Sequence, residues 1–383
     1  MIKQKNLRTM SLVMIDSSLK KDYLPGLLLG LLSVLMLVSI FSMYSVSGGV
    51  VAPIVTKQLY ISALSLFMMF VFSKINLKLI FRSSYDVYLV ILCALVVTEF
   101  LGHIGMGAKR WINLGIINIQ PSEFMKIGLI LALAHYFYNC HVDSIVKTRF
   151  LLSPAILVLL PSILIMKQPN LGTAMIIIST AATIFFLAGV RVRVFVCLGV
   201  ITLVSMPIIW RFLYDYQKTR VLTFLDPMHD KLGAGYNIIQ SIISIGSGGV
   251  FGKGFLKGSQ NQLDFLPENH TDFIFGLIAE EGGFVLCLAL FLIYFAITLI
   301  LYLMSVRCDF QFHRLVILGF ASLLFFHVFI NIGMISGLLP VVGVPLPFLS
   351  YGGSNFIAMM IGVGLVLNCY TNKKVTLKTA PSS

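Results

Sequence analysis

The chain has 383 residues, 58% of them hydrophobic and only 11% charged, with 28 Lys and Arg against 15 Asp and Glu. An ordinary soluble domain carries roughly 25% charged residues, and covering soluble domains of this total length with so few charges would leave large apolar patches in water. A soluble enzyme is excluded, and the net charge of +13 reflects scarce acids, not abundant bases, so it points to a membrane and to no nucleic acid partner.

Residues 1–24 read as a basic cytoplasmic tail, with Lys3, Lys5, Arg8, Lys20 and Lys21. The apolar run 10–15 inside it is too short for a signal sequence, and Asp16 interrupts it. Ten apolar runs follow, each near the roughly 20 residues that cross a hydrocarbon core. They are 25–47, 54–73, 84–104, 121–139, 149–166, 171–190, 193–214, 272–303, 314–340 and 352–372. Lipid offers no partner to open backbone, so such runs are helical. Pro154, Pro161 and Pro207 are expected to kink their helices without ending them. The predicted fold class is an all-α polytopic membrane protein. One ten-helix domain spans 25–372, a large extracytoplasmic loop at 215–271 separates the seventh and eighth helices, and a short cytoplasmic tail covers 373–383.

Lys and Arg accumulate on the cytoplasmic side of membrane spans. They gather in both tails and at Lys74, Lys78, Arg82, Lys147, Arg149, Arg191, Arg193, Arg307 and Arg314, which share one side if both termini are cytoplasmic. Cys93, Cys140, Cys197, Cys287, Cys308 and Cys369 show no metal-binding spacing and read as small apolar residues.

The segment 215–281 departs from this pattern. It holds eight of the fifteen acids: Asp215, Asp226, Asp230, Asp264, Glu268, Asp272, Glu280 and Glu281. Within it Tyr236-Asn-Ile-Ile-Gln-Ser-Ile-Ile-Ser244 has the spacing of a short amphipathic helix, and the loop is expected to fold back over the outer mouth of the bundle. Gly246-Ser-Gly-Gly-Val-Phe-Gly-Lys-Gly254 fails the nucleotide-loop pattern, because Ser247 stands at its first glycine and Gly254 at its Ser/Thr. Two readings stay open there. One is a turn with close backbone packing; the other is a nest of amide N–H groups that, with Lys253, holds a lipid-linked phosphate.

Leu266-Pro-Glu-Asn-His-Thr-Asp-Phe-Ile-Phe-Gly276 leads into the eighth span. On a helix Asp272, Gly276, Ala279 and Gly283 would share one stripe, leaving room for a neighbouring helix or a ligand. Asp272 is either a first-turn acid that complements the helix dipole or a reactive group at the outer membrane level. Glu280 and Glu281 lie about two turns deeper, where acids face a cavity or a partner. A second polar group stands at the outer ends of the third and fourth spans, in Lys109-Arg110-Trp111-Ile-Asn-Leu-Gly115 and Gln120-Pro-Ser-Glu-Phe-Met-Lys126. Glu123 and Lys126, three apart on a helix, can pair. Arg110 can clamp an anionic oxygen, and Trp111 can stack on a sugar or anchor at the interface. His103, His135, His141, His229, His313 and His327 are scattered and read as packing or loop residues.

Several of these segments together resemble the shape, elongation, division and sporulation (SEDS) family, whose branches include RodA and FtsW. They are Ala108-Lys-Arg-Trp-Ile-Asn-Leu-Gly115, Gln120-Pro-Ser-Glu123, Gln168-Pro-Asn-Leu-Gly-Thr-Ala174, Leu266-Pro-Glu-Asn-His-Thr-Asp-Phe-Ile-Phe275, Glu280-Glu-Gly-Gly-Phe284 and Leu339-Pro-Val-Val-Gly-Val-Pro-Leu-Pro-Phe-Leu-Ser-Tyr-Gly-Gly353. They run from the third helix to the tenth in family order. Val342-Gly-Val-Pro345 resembles the elongation branch, RodA, more than the division branch. Asn170 stands where an Asp is usual and Asn355 where a Ser is usual.

The resemblance implies a peptidoglycan glycosyltransferase in the bacterial cytoplasmic membrane. It would polymerise lipid II into a nascent glycan strand on the outer face, beside a class B penicillin-binding protein that supplies the transpeptidase. Asp272 matches the family's catalytic acid. The lipid II pyrophosphate is already a good leaving group, so the chemistry needs a base for the attacking hydroxyl and cations for the departing pyrophosphate. Asp272 is the expected base, with Arg110, Lys253 and Arg220 as cationic partners and Trp111, Glu268 and His270 as further substrate contacts. Mg or Mn held by Asp272 or Glu268 would serve the same end. With no second carboxylate placed as nucleophile, single displacement with inversion is expected. The rivals are a lipid II flippase or other transporter, which the intramembrane Glu123, Lys126, Glu280 and Glu281 would suit; a division-branch polymerase; and a non-enzymatic scaffold.

Overall fold

The computed structural model describes residues 22–105, 108–113, 118–140, 148–228, 234–259 and 270–377. Helices α1 (Leu24–Val46), α2 (Pro53–Lys74), the short α3 (Leu77–Arg82) and α4 (Ser84–Leu101) lead to three strands, β1 (His103–Gly105), β2 (Ala108–Asn113) and β3 (Asn118–Ile119). Then come α5 (Pro121–Asn139), α6 (Leu152–Lys167), α7 (Leu171–Ala188), α8 (Val192–Phe212), α9 (Asp215–Leu225), α10 (Ala234–Ser247), α11 (Ile274–Val306), α12 (Gln311–Ile335) and α13 (Gly353–Thr371). Among the described residues, α1, α2, α7, α11, α12 and α13 are long and apolar enough to cross a membrane, and α6 and the Val192–Ile208 part of α8 are shorter apolar helices. The chain is a polytopic all-α membrane protein.

Local chemistry sets many of the boundaries. Pro53 and Pro121 open α2 and α5, where the missing N–H leaves no helical bond unmade. Pro161 and Pro207 lie inside α6 and α8. Pro154 instead stands in the first turn of α6, among the N–H groups that have no helical acceptor, so it starts a helix and does not kink one.

α12 is the central column, packed on α5, α7, α11 and α13, and α13 packs closely on α2. α5, α12 and α13 are mostly buried. At the periphery, Val196, Ile201, Leu203, Val204 and Ile208 of α8 are exposed, as lipid-facing residues are. This is where the excess of apolar residues goes.

Three features differ from the expectations. The hairpin after α4 carries a small antiparallel sheet in the order β1–β2–β3, with Ile104 paired to Lys109 and Ile112 to Ile119. The eighth span begins at Ile274, so Asp272 lies in the turn before it, and Gly283 (φ 66°, ψ −167°) breaks the helix. The stripe of Asp272, Gly276, Ala279 and Gly283 is therefore interrupted at both ends.

The third feature is what fills that break. A helix that opens inside a bundle leaves peptide groups needing partners. The glycine-rich segment supplies them. Lys253 N–H donates to Glu280 O (3.0 Å) and Gly254 N–H to Glu281 O (3.0 Å), while Phe284 and Val285 N–H donate to Gly249 O and Val250 O. A Cβ on Gly252 would lie 2.0 Å from Glu281 O, so only glycine permits this approach. Of the amides expected to form a phosphate nest, those of Lys253 and Gly254 are bound to α11, and those of Gly248 and Gly252 to Ile245 O and Gly248 O. Of the two open readings, close backbone packing is the one the hydrogen bonds fit.

At the opposite end of α11 the ends of three helices meet. Asp22 accepts from Arg307 (3.0 Å), Lys373 (2.9 Å) and the Tyr370 hydroxyl (2.5 Å). Lys373 Nζ lies 4.4 Å from the Tyr370 ring centre. This knot joins the segment before α1 to the ends of α11 and α13.

Candidate active site

The site forms where the turn before α11 meets the loop between α12 and α13. That loop, 337–352, contains Pro340, Pro345 and Pro347, none of which offers an N–H to a helix or sheet. It is shaped by side chains instead. Leu346 N–H donates to Ser350 Oγ (2.8 Å), Ser39 Oγ donates to Leu349 O (2.7 Å), and the Tyr294 hydroxyl donates to Pro347 O.

The Asp272 turn is held against this loop on both sides. Tyr351 N–H donates to His270 O (2.9 Å), and the His270 ring meets the Tyr351 ring edge-on at 5.7 Å. Asn331 Nδ2 donates to Asp272 O (2.9 Å) and also to Val344 O (2.7 Å). Asp272 is half-buried. Its carboxylate faces Gly343, where a Cβ would lie 3.3 Å from Oδ2 and φ is +70°. A side chain there would be both strained and pressed on the carboxylate.

The other motifs reach the same place. Arg110, on β2, donates through Nε to Gln168 O (2.9 Å) and through Nη2 to Pro169 O. Asn170 follows, and its side chain caps α7 by accepting the Thr173 N–H at 3.4 Å. A neutral amide thus does the capping where the family usually has an Asp. The next turn packs on the loop, since a Cβ on Gly172 would lie 2.6 Å from Val344 Cγ2 and 2.8 Å from Val342 O. Trp111 is half-buried beside Arg110 on the same small sheet.

Two ion pairs flank the site, one fully buried and one joining a part-exposed lysine to a buried carboxylate. Lys126 Nζ lies 2.7 Å from Glu123 Oε2 on α5 and 2.8 Å from His327 Nε2 on α12. Lys253 Nζ lies 2.6 Å from Glu280 Oε1, which also accepts the Ser259 N–H and hydroxyl at 2.9 Å. Lys253 therefore points into α11, which departs from its expected place on a phosphate. Glu281 accepts from Ser45 of α1.

Arg220 lies on α9, on the face that carries buried Gln217 and Thr223. α9 packs on α10, and α10 is fastened to α11 and α12 by Ser244 Oγ donating to Gly276 O and Ser241 Oγ to Ile335 O. Glu268 and the side chain of Lys109 lie outside the described residues. No group of three His, Cys, Asp or Glu that could hold a metal occurs among the described residues. Asp272 is thus the one expected cation ligand that is described.

Sequence reasoning did not single out Asn331, Gly343 or Tyr351, and it read His327 as packing, where the structure shows it buried with hydrogen bonds to Lys126 and Pro345 O. The available signal was the pair His327 and Asn331, four apart in an otherwise apolar run, which puts two polar groups on one helix face.

Residues 22–375 match the family described as cell cycle protein, which groups FtsW, RodA and SpoVE. Peptidoglycan glycosyltransferase MrdB of Escherichia coli strain K12 is 40% identical over 362 residues, covering 94% of this chain and 96% of that protein. Stage V sporulation protein E of Bacillus subtilis is 37% identical over 285 residues, covering 72% and 75%. Among solved structures, a chain from a study of polymerization and crosslinking by a peptidoglycan synthase complex superposes with a TM-score of 0.80 at 31% identity, covering 93% of this chain and 99% of that one. The rod shape determining protein RodA of Thermus thermophilus gives 0.69 at 26% identity, covering 94% and 100%.

Proposed function

The chain belongs to the cell cycle protein family of FtsW, RodA and SpoVE, and from that premise we propose that it is a peptidoglycan glycosyltransferase of the elongation branch, joining lipid II units into glycan with Asp272 as general base. One observation carries this reading. Motifs from four separate stretches of sequence are joined by a chain of contacts, Arg110 to Gln168, Gly172 to Val342 and Val344, and Gly343 to the half-buried Asp272 carboxylate.

In the reaction Asp272 takes the proton from the attacking sugar hydroxyl while the bond to the polyprenyl pyrophosphate breaks. A positioned base of this kind contributes about 10²–10⁴-fold. Inversion follows from a single displacement. Glu280 is a poor nucleophile for the alternative, because it is fully buried and Lys253 and Ser259 occupy its Oε1. Arg110 is the cation best placed to meet the pyrophosphate. Its guanidinium binds the carbonyls of Gln168 and Pro169, which fix its direction. Magnesium typically binds through one or two carboxylates plus phosphate oxygens, so Asp272 together with a bound pyrophosphate could hold one.

The lysine and arginine distribution supports cytoplasmic termini and an outward-facing site. The likeness to a chain of a peptidoglycan synthase complex supports a class B penicillin-binding protein as partner, supplying the crosslinking step. The test is polymer formation from lipid II by the purified protein, alone and with that partner. Asp272→Asn is expected to lower the rate by at least about a hundredfold. Equal polymerisation by Asp272→Asn would remove the base assignment, and lipid II movement across vesicles without polymer would favour the flippase.

A further inference from the structure

The loop segment 343–345 has few backbone partners of its own, since Pro345 lacks an N–H. Its carbonyls are taken by one face of α12. Asn331 Nδ2 reaches Val344 O at 2.7 Å, and His327 Nδ1 lies 3.3 Å from Pro345 O. His327 and Asn331 stand one turn apart and are 1% and 0% exposed.

The hydrogen bonds fix the direction of both side chains. Asn331 faces two carbonyl oxygens, Asp272 O and Val344 O, so its amide nitrogen must lie on that side. Its other end, Oδ1, is buried and makes no hydrogen bond. A leucine of similar volume would pack α12 without that penalty. The Lys126 ammonium is a donor only, so His327 Nε2 accepts from it and Nδ1–H points to Pro345 O.

We infer that Asn331 and His327 are positioning residues for glycosyl transfer: α12 uses them to hold the 343–345 segment and the Asp272 turn in one register, which sets where the carboxylate stands against Gly343. Asn331 is the only described side chain that bonds to both segments at once. His327 carries the buried Lys126–Glu123 pair to the same loop segment. This inference rests on Asp272 being the base.

The test compares Asn331→Leu, His327→Leu, His327→Asn and Asp272→Asn in the purified full chain with lipid II, measuring kcat, KM and the unfolding temperature. Displacing a reacting group by about 1 Å costs on the order of a hundredfold. Asn331→Leu is therefore expected to lose about ten- to a hundredfold in kcat, with KM changed by less than about threefold and a lower unfolding temperature, since Asp272 O and Val344 O lose their donor. His327→Asn, whose amide can occupy the Nδ1 position, should retain more kcat than His327→Leu. That ordering tests the inference even if Asn331→Leu does not fold. Full activity of Asn331→Leu beside an inactive Asp272→Asn would overturn it. So would equal activity of the two His327 variants, or a loss expressed in KM alone. An active Asp272→Asn would instead remove the base on which the inference depends.

Discussion

The two Lys–Glu ion pairs look alike in composition and differ in reach. Glu123 and Lys126 are three residues apart on one helix, so their pairing fixes nothing beyond α5, yet Lys126 has a further partner in His327 on α12. Glu280 and Lys253 are 27 residues apart, and their pairing closes the glycine-rich segment onto the break in α11. The first pair is local in sequence and leads to the 343–345 segment. The second is distant in sequence and ends in architecture. A buried charge does not announce which of these it serves; the third group it touches does.

The widest separation between the pairs is expected from Lys126→Met. It leaves Glu123 buried without a counter-charge, which costs about 3–5 kcal/mol and lowers the unfolding temperature. The double variant Glu123→Gln, Lys126→Met removes the stranded charge and should recover most of that stability. Polymerisation by the double variant is expected to stay well below that of the unmodified chain, because His327 has lost its donor. Full recovery of both would make the first pair architectural too.

Lys253→Ala is the matching change in the second pair. Glu280 keeps the two donors of Ser259, so the expected loss is smaller, about 1–3 kcal/mol. Limited proteolysis should quicken at 248–258, while polymerisation falls less than in Lys126→Met. A larger fall in kcat, with the loop still protected, would move Lys253 into the reaction.

The exposed cluster at Asp22 gives the low end of the scale. Burial alone would raise its carboxyl, but hydrogen bonds from Tyr370 and Lys373 and the charges of Lys373 and Arg307 hold it below the ordinary value of 3.8. A lowered carboxylate stabilises the fold at pH above that value and loses the effect as pH falls through its own depressed value. The unmodified chain should thus exceed Asp22→Asn by about 1–2 °C in unfolding temperature near neutral pH. The difference should shrink as pH falls below 3.8 and vanish once pH is below the depressed value. A difference that persists in acid would show packing and not charge.

Much of the fold was legible because lipid makes hydropathy decisive: each apolar run had to be a helix, and each observed helix from α1 to α13 outside the small α3 and the loop helix α9 begins near an expected one. The break at Gly283 was hidden, since Gly282-Gly283 inside a long apolar run reads as tolerated glycine; only the approach of residues 249–254 shows why the helix opens there. The small sheet was hidden because 103–119 lacks clean alternation of apolar and polar residues. At the site, Asp272 and Arg110 could be picked from residue type and motif. Asn331 and His327 could not be assigned, because their partners lie 59 and 201 residues away and no local rule joins them.

The knot at Asp22 has a consequence for the order of the chain. Asp22 pairs with Lys373, so the start of the first long helix and the end of the last are tied together. The sequence of helices is then a circle in space, with no contact that depends on which helix is made first. A permuted chain that bridges 377 to 22 with a few residues, and opens at the exposed connection after α8, would keep the contacts of the bundle and the site described above.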